Sequence, residues 1–461
     1  MQILSIKMGK FNNFVKSNNN YVLHTLEEIL RWIDNKKNNT KVVINEISLE
    51  ECNPWFLDKT TGFIHNTKNT FFEIRGIESI KNSFHIEQPI IVQDEIGFLG
   101  IVCKQINGNW HFLMQAKIEP GNINCVQISP TIQATKSNFT KAHGGRTPKH
   151  LDLFLHMNPD NIVVDQIQSE QSSRFYKKRN RNVILSTDEF IEEDDDFRWM
   201  TLKQIVDLLH YDNLVNMDTR TVLSCIPYVL FGDENNDFDD KFINSIKSID
   251  HLSLIKIYTN INDYKMFDET KAFFKPLNEL NNWKMERNRF INEYGYSFDL
   301  IFCNIEIEGR EVNKWNQPLL AANGNALFGL LCCVYNNKIQ ILVKLKPEIG
   351  CFDKIEIGPT IQEEPNYRNE EDEVTKFFHT KIQSKKEIIF DVVLSEEGGR
   401  FYHEQNRNVI IMVNKDELEY DDKKYVWCDF GTLNMLTQIN NCLNIQLRNM
   451  LTMLSLNEIT K

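Results

Sequence analysis

Apolar positions 22, 23, 26, 29, 30, 32 and 33 recur every three or four residues, so the spacing predicts a helix over 21–35, ended by Asn35 and Asn38. From residue 55 to 77 the pattern shortens to Phe63-Ile64 and Phe71-Phe72 with Ile74, separated by turn residues, and this reads as strands. Gln88-Pro89-Ile90-Ile91-Val92 and Phe98-Leu99-Gly100-Ile101-Val102 extend the sheet, Asn107-Gly108-Asn109 turns it, and 110–115 is the next strand. Further helices are expected near 151–154 and over 202–209, and the acidic run 192–196 reads as a solvated surface. Between these elements lies Gln115-Ala116-Lys117-Ile118-Glu119-Pro120-Gly121-Asn122, then Ser129-Pro130-Thr131-Ile132-Gln133 and His143-Gly144-Gly145-Arg146. Charges, amides and glycine turns between apolar segments suit the floor of a ligand site better than a core.

The pattern occurs twice. Gln317-Pro318, Gly329, Lys346, Glu348, Gly350 and Pro359-Thr360 each stand 229 positions after Gln88-Pro89, Gly100, Lys117, Glu119, Gly121 and Pro130-Thr131. Ser169-Glu170-Gln171-Ser172-Ser173-Arg174-Phe175-Tyr176 reappears as Ser395-Glu396-Glu397-Gly398-Gly399-Arg400-Phe401-Tyr402. The chain therefore reads as two α+β repeats, 1–215 and 250–461, joined by a helical linker over 216–249. Apolar matches follow from a shared fold. Matched Lys117/Lys346, Glu119/Glu348, Glu170/Glu396, Arg174/Arg400 and Tyr176/Tyr402 need a further reason, either ion pairs that hold the fold or a site. For Lys117 and Glu119, next to a Pro-Gly turn, function is the better reading.

Composition narrows the classes. A net charge of -12 on 461 residues argues against a general nucleic-acid binder. The ten cysteines form no CxxC pair, so no zinc site is expected, and no run of eighteen apolar residues suggests a membrane span. A soluble, cytoplasmic protein with reduced thiols is the expectation. The repeats also differ: Lys136, Lys141, His143 and Arg146 of the first face Glu363-Glu364 and Glu370-Glu371-Asp372 of the second. A phosphate-bearing ligand would prefer the first.

The string 115–122, the continuation 129–135 with Ser137-Asn138-Phe139-Thr140, and the 395–402 segment resemble the NDP-hexose 2,3-dehydratases over about residues 55–451. That resemblance implies two tandem Nudix-hydrolase-like α/β/α modules from internal duplication, a homodimer, and a nucleotide-linked 4-keto-6-deoxyhexose substrate, with dTDP as the carrier. Only fragments of a Nudix box remain, such as Ser395-Glu396-Glu397-Gly398-Gly399, so pyrophosphate hydrolysis is not implied.

The implied substrate carries its own electron sink, so no cofactor or metal is expected. Its reaction needs a base, for which Glu119 or His143 serve, and an acid, for which Tyr176, His65 or His143 serve. Lys117 suits a growing enolate oxygen. Arg146, Arg174 and Arg400 suit a diphosphate, and Trp55 or Tyr402 a base platform. Gln115, Asn122, Thr131, Gln133, Lys346, Glu348 and Glu397 complete the expected binding residues. A non-catalytic nucleotide-sugar binder and a Nudix-type pyrophosphohydrolase are the alternatives.

Overall fold

The computed structural model describes residues 11, 14–15, 21–81, 84–135, 147–230, 240–310, 312–366 and 372–454. The first helix, Leu26–Asn39, starts later than the apolar spacing alone suggests, because Thr25 and Glu28 form a reciprocal capping box. Each repeat builds two sheets. In the first repeat, Asn109–Ile118 and Gly97–Ile106 centre a seven-stranded sheet, and Glu73–Lys81 and Phe84–Val92 centre a six-stranded one. The second repeat matches them with Lys338–Pro347 and Ala326–Tyr335, and with Phe298–Ile307 and Lys314–Ala322. Both larger sheets contain the same parallel neighbour, Arg179–Ser186 beside Gly97–Ile106 and Gln405–Met412 beside Ala326–Tyr335.

The repeats exchange their leading strands. Val42–Ile47, ahead of the first repeat, pairs with Phe298–Ile307 of the second. Lys271–Lys275, ahead of the second, pairs with Glu73–Lys81 of the first.

The exchange continues at the centre. Helix Met217–Ser224 opens the segment expected to join the repeats, is buried throughout, and packs on helix Ile445–Leu454. Arg220 Nη2 donates 2.6 Å to the carbonyl of Ser395 in the other repeat, and the Arg448 guanidinium donates to the carbonyl of Ser169. Two buried cations thus each satisfy a carbonyl across a pseudo-two-fold axis.

Loops interlock by the same symmetry. Gly121 N donates 2.7 Å to Gly398 O, and His403 N donates 2.9 Å to Gly121 O. Gly350 N donates 2.9 Å to Ser172 O, and Lys177 N donates 2.8 Å to Gly350 O. Neither glycine has a positive φ; each is needed because another backbone comes too close for a side chain. A Cβ on Gly121 would lie 1.6 Å from Phe401 O, and one on Gly350 would lie 1.9 Å from Phe175 O.

The acidic run is in part the solvated surface expected, with Glu192, Asp194 and Asp195 exposed, but Glu193 and Asp196 are half-buried. Glu193 binds the His24 ring at 2.7 Å, and Asp196 binds Lys36 at 2.5 Å and Lys149 at 2.6 Å. His24 ahead of the first helix, Lys36 on it and Lys149 draw these two down. All ten cysteines are free thiols, and no helix among the described residues is long and apolar enough to cross a membrane.

Gly121→Ala should lower folding stability by about 3 kcal/mol, the upper range for forced overpacking. Gly295→Ala, at a positive φ with open space around it, should cost only about 1 kcal/mol of left-handed strain. Denaturant midpoints of the two variants check the order; equal losses would mean that close docking does not matter.

Candidate active site between the repeats

Strand Asn109–Ile118 ends with Lys117 turned towards a cavity, and the chain leaves the sheet at Glu119 on the same side. The cavity measures about 610 Å³, within the range of small-molecule sites. The first repeat supplies Lys117, Glu119, Gln133, Glu170 and Lys178, and helix Met217–Ser224 that follows it supplies Asp218. Through the interlocked loops the second supplies Arg310, Trp315, Glu397 and Arg400. Trp55 and Phe72, ring centroids 4.6 Å apart, form an aromatic wall.

Lys117 Nζ lies 3.1 Å from Glu119 Oε1. The carboxyl groups of Glu119 and Glu397 are hydrogen-bonded to one another, one from each repeat. Gln133 Nε2 stands 3.4 Å from an oxygen of each. Burial opposes the charge on Glu119, yet Lys117 and Arg310 outweigh it and hold this carboxyl below the usual carboxylate range. Burial, and then the negative Glu119, push Glu397 up to about 8. Two carboxyls in contact thus hold one proton between them, with the ionised member beside the cations. Burial also lowers the Lys178 ammonium to about 8. Arg400 lies over the Phe72 ring at 4.3 Å, with Nη2 3.5 Å from Gln93 Oε1.

Pseudo-symmetry builds the same frame around Lys346 and Glu348. There Arg174 stacks on Phe298 at 4.4 Å, as Arg400 does on Phe72. The chemistry differs. Gln171 replaces Glu397, so the acid that faces Glu119 in the first frame has no counterpart at that position beside Glu348. Glu404 replaces Lys178 and Glu364 replaces Thr135. Arg174 is buried against these, 2.6 Å from Glu364 and 3.9 Å from Glu404.

Of the residues expected from sequence, Lys117, Glu119, Gln133, Glu397 and Arg400 come together in the cavity, and Trp55 joins them. Lys346, Glu348 and Arg174 gather instead at the pseudo-equivalent position. The others stand apart from both. Thr131 Oγ1 donates 2.5 Å to Leu113 O and accepts from Val102 N, tying strands together. Asn122 donates 3.1 Å to Cys125 O and packs against Gly398 in the docking loop. Gln115 lies in the sheet opposite Ser129 and Phe197. His65 Nε2 is 3.7 Å from Asp58, with its ring against Phe56. Tyr176 packs on Phe274, and Tyr402 stacks on His403 at 4.0 Å. His143 and Arg146 lie outside the described residues.

Sequence reasoning missed Lys178, Asp218 and Arg310 as cavity residues. The first two stand opposite Glu404 and Gln446, so the contrast between repeats marks them. Arg310 has no such marker, because it reaches the first repeat's site from the second. It donates 2.8 Å to Ile118 O. Glu170 stands out in the sequence only as a matched residue; its bond to Asn180, repeated by Glu396 with Asn406, explains that match structurally.

Comparison with known proteins agrees with the two-fold build. The NDP-hexose 2,3-dehydratase family model matches residues 26–226 and 255–454. A protein named dTDP-4-dehydro-6-deoxy-alpha-D-glucopyranose 2,3-dehydratase from Saccharopolyspora spinosa is 35% identical over 441 residues, covering 92% of this chain and 90% of its own. Proteins of the same name from Amycolatopsis orientalis and Streptomyces violaceoruber are 32% and 33% identical, covering 92% and 88% of this chain and 89% and 92% of their own. The repeated family match, with relatives matched over most of their own length, places this chain in the NDP-hexose 2,3-dehydratase family.

Proposed function

We propose that this chain removes water across carbons 2 and 3 of a dTDP-linked 4-keto-6-deoxyhexose, the class of sugar named for its relatives. The observation that carries the reading is the Glu119 and Glu397 pair, unequal in charge, beside Lys117 in one cavity. The carbon-4 ketone acidifies the proton on carbon 3, and the 2-hydroxyl lies beta to that ketone. Glu119, held ionised, takes the carbon-3 proton. Lys117 steadies the enolate, and Glu397 gives its proton to the departing hydroxide, releasing water. The resulting enol tautomerises to the 3,4-diketo-2,6-dideoxy sugar. Glu119 then carries the proton and Glu397 the charge, and passing one proton along their shared hydrogen bond restores the pair. Electrons stay within the substrate throughout, so the reaction calls for no redox or pyridoxal cofactor.

Arg400 and Arg310 offer guanidinium groups for the diphosphate, and Trp55 and Trp315 offer faces for the base. Each repeat is read as a Nudix-like module, 1–215 and 250–461, with 216–249 between them. The exposed apolar residues Leu252, Ile255, Met266 and Phe267 on helix His251–Phe267 support pairing of two copies as a homodimer. The free thiols fit a reducing cytoplasm.

Purified protein given dTDP-4-keto-6-deoxyglucose and no added cofactor should lose one water per turnover by mass spectrometry; unchanged sugar after long incubation counts against the proposal. Glu119→Gln and Glu397→Gln should each lower kcat by roughly 10²–10⁴ with little change in KM. A rise in KM alone would assign both to binding. In wild type, kcat should fall as pH rises through about 8, where Glu397 loses its proton. It should also fall at acid pH, below the ordinary glutamate range, where Glu119 gains one. Lys178 also titrates near 8, so the alkaline limb should vanish from the residual rate of Glu397→Gln; its persistence there would assign the limb to Lys178.

A further inference from the structure

Asp218 stands second in helix Met217–Ser224, whose N-cap Asn216 accepts from Thr219 N. The residue is 2% exposed, yet it lines the cavity. Its side chain has no hydrogen-bond or ion-pair partner among the described residues. Every other acid of the site is engaged: Glu170 with Asn180, Glu119 with Lys117, and Glu397 with Gly399 N at 2.7 Å. A buried carboxyl with no protein partner, aimed into a ligand cavity, is expensive unless the ligand completes it.

The surroundings decide its form. Burial comes first, and Glu170, Glu397 and Glu119 then add to it, so the carboxyl keeps its proton well above the usual carboxylate range, against the pull of Lys117. Lys178 faces it from the segment after Tyr176, and Arg220 from its own helix. Arg220 is committed to the Ser395 carbonyl, and Lys178 donates to the carbonyl of Glu95. A protonated carboxylic acid in such a place is a hydrogen-bond donor. It resembles in kind a phenol or a neutral carboxylic acid placed to stabilise an enolate.

The proposed reaction leaves the enolate one donor, Lys117, which Glu119 shares, because Glu397 must spend its proton on the leaving hydroxide. We propose that Asp218 is a catalytic residue acting as a neutral hydrogen-bond donor to the carbon-4 oxygen of the sugar, whose negative charge grows as Glu119 removes the carbon-3 proton. No bond to Asp218 forms or breaks, and its proton stays on the carboxyl through the cycle. The second repeat has Gln446 here, a neutral group in a frame without the acid pair. This inference rests on the dehydratase reading.

The test compares two substitutions with dTDP-4-keto-6-deoxyglucose as substrate. Asp218→Asn keeps a neutral donor of the same shape and should stay within roughly tenfold of wild-type kcat. Asp218→Ala should lose on the order of 10²–10³, the usual cost of one oxyanion donor. Affinity for dTDP, measured by calorimetry, should be unchanged in both, and equal thermal midpoints exclude misfolding. If Asn proves as damaging as Ala, an ionised carboxylate is required and the inference is overturned; an Ala variant at the wild-type rate overturns it as well. Should Ala fail to fold, the Asn variant still decides, because a site needing a carboxylate loses its rate there. A wild-type protein that releases no water removes the dehydratase reading and this inference together. An active wild type with equal Asn and Ala losses removes the inference alone.

Discussion

The backbone contact between Gly121 and the 398–401 loop, repeated by Gly350 with the 172–175 loop, is the constraint on which the molecule depends. Each contact brings two main chains closer than any side chain allows and satisfies their N–H and C=O groups across the repeats. The exchanged strands Val42–Ile47 and Lys271–Lys275 and the crossed Arg220 and Arg448 bonds keep the same symmetry. With the loops seated, Glu397 and Arg400 are carried into the first repeat's cavity. Neither repeat alone contains the proposed acid and base.

Symmetry of the backbone obliges the protein to build the frame twice. Side chains then make the two copies unlike. Around Lys117 four carboxyls meet Lys117, Lys178, Arg310 and Arg400, and such a mixture can stay buried because Glu119 is paired with Lys117 while burial keeps the protons on Glu397 and Asp218. Around Lys346, Glu364 and Glu404 turn inward and take up Arg174, the equivalent of the arginine left facing the cavity in the first frame. Burying an arginine between two acids makes a sound scaffold, and it commits the cation to protein rather than ligand.

Much of this was legible in the chain. The constant spacing between copies located the duplication, and the residues that kept charge in both copies led to Lys117, Glu119 and Arg400. What could not be read was partnership. Gly121 looks like a turn glycine beside Pro120, whereas a strand from the other half determines it. Val42–Ile47 is a short β-branched run broken by Asn45-Glu46, and nothing local says which sheet it joins. Thr131 and Thr360 match for a reason internal to the fold, since both hydroxyls bridge neighbouring strands. Matching thus reports a shared requirement, which is often structural. The more telling signal was mismatch: Glu397 against Gln171, Lys178 against Glu404 and Asp218 against Gln446 change chemistry where the backbone does not.

A carboxyl pair drawn from two repeats has a property that one glutamate lacks. Two identical acids in identical surroundings would each hold half a proton on average, and neither would be a good base or a good acid. Here Lys117 and Arg310 lie on the Glu119 side, and the proton therefore settles on Glu397. The asymmetry comes from position rather than residue type, and position is set by which loop each repeat contributes. Duplication followed by crossed docking supplies two carboxyls in contact on independent segments, so one environment can be altered without moving the other. On this argument the second repeat's contribution to the reaction is the acid itself, placed where its own frame has lost one.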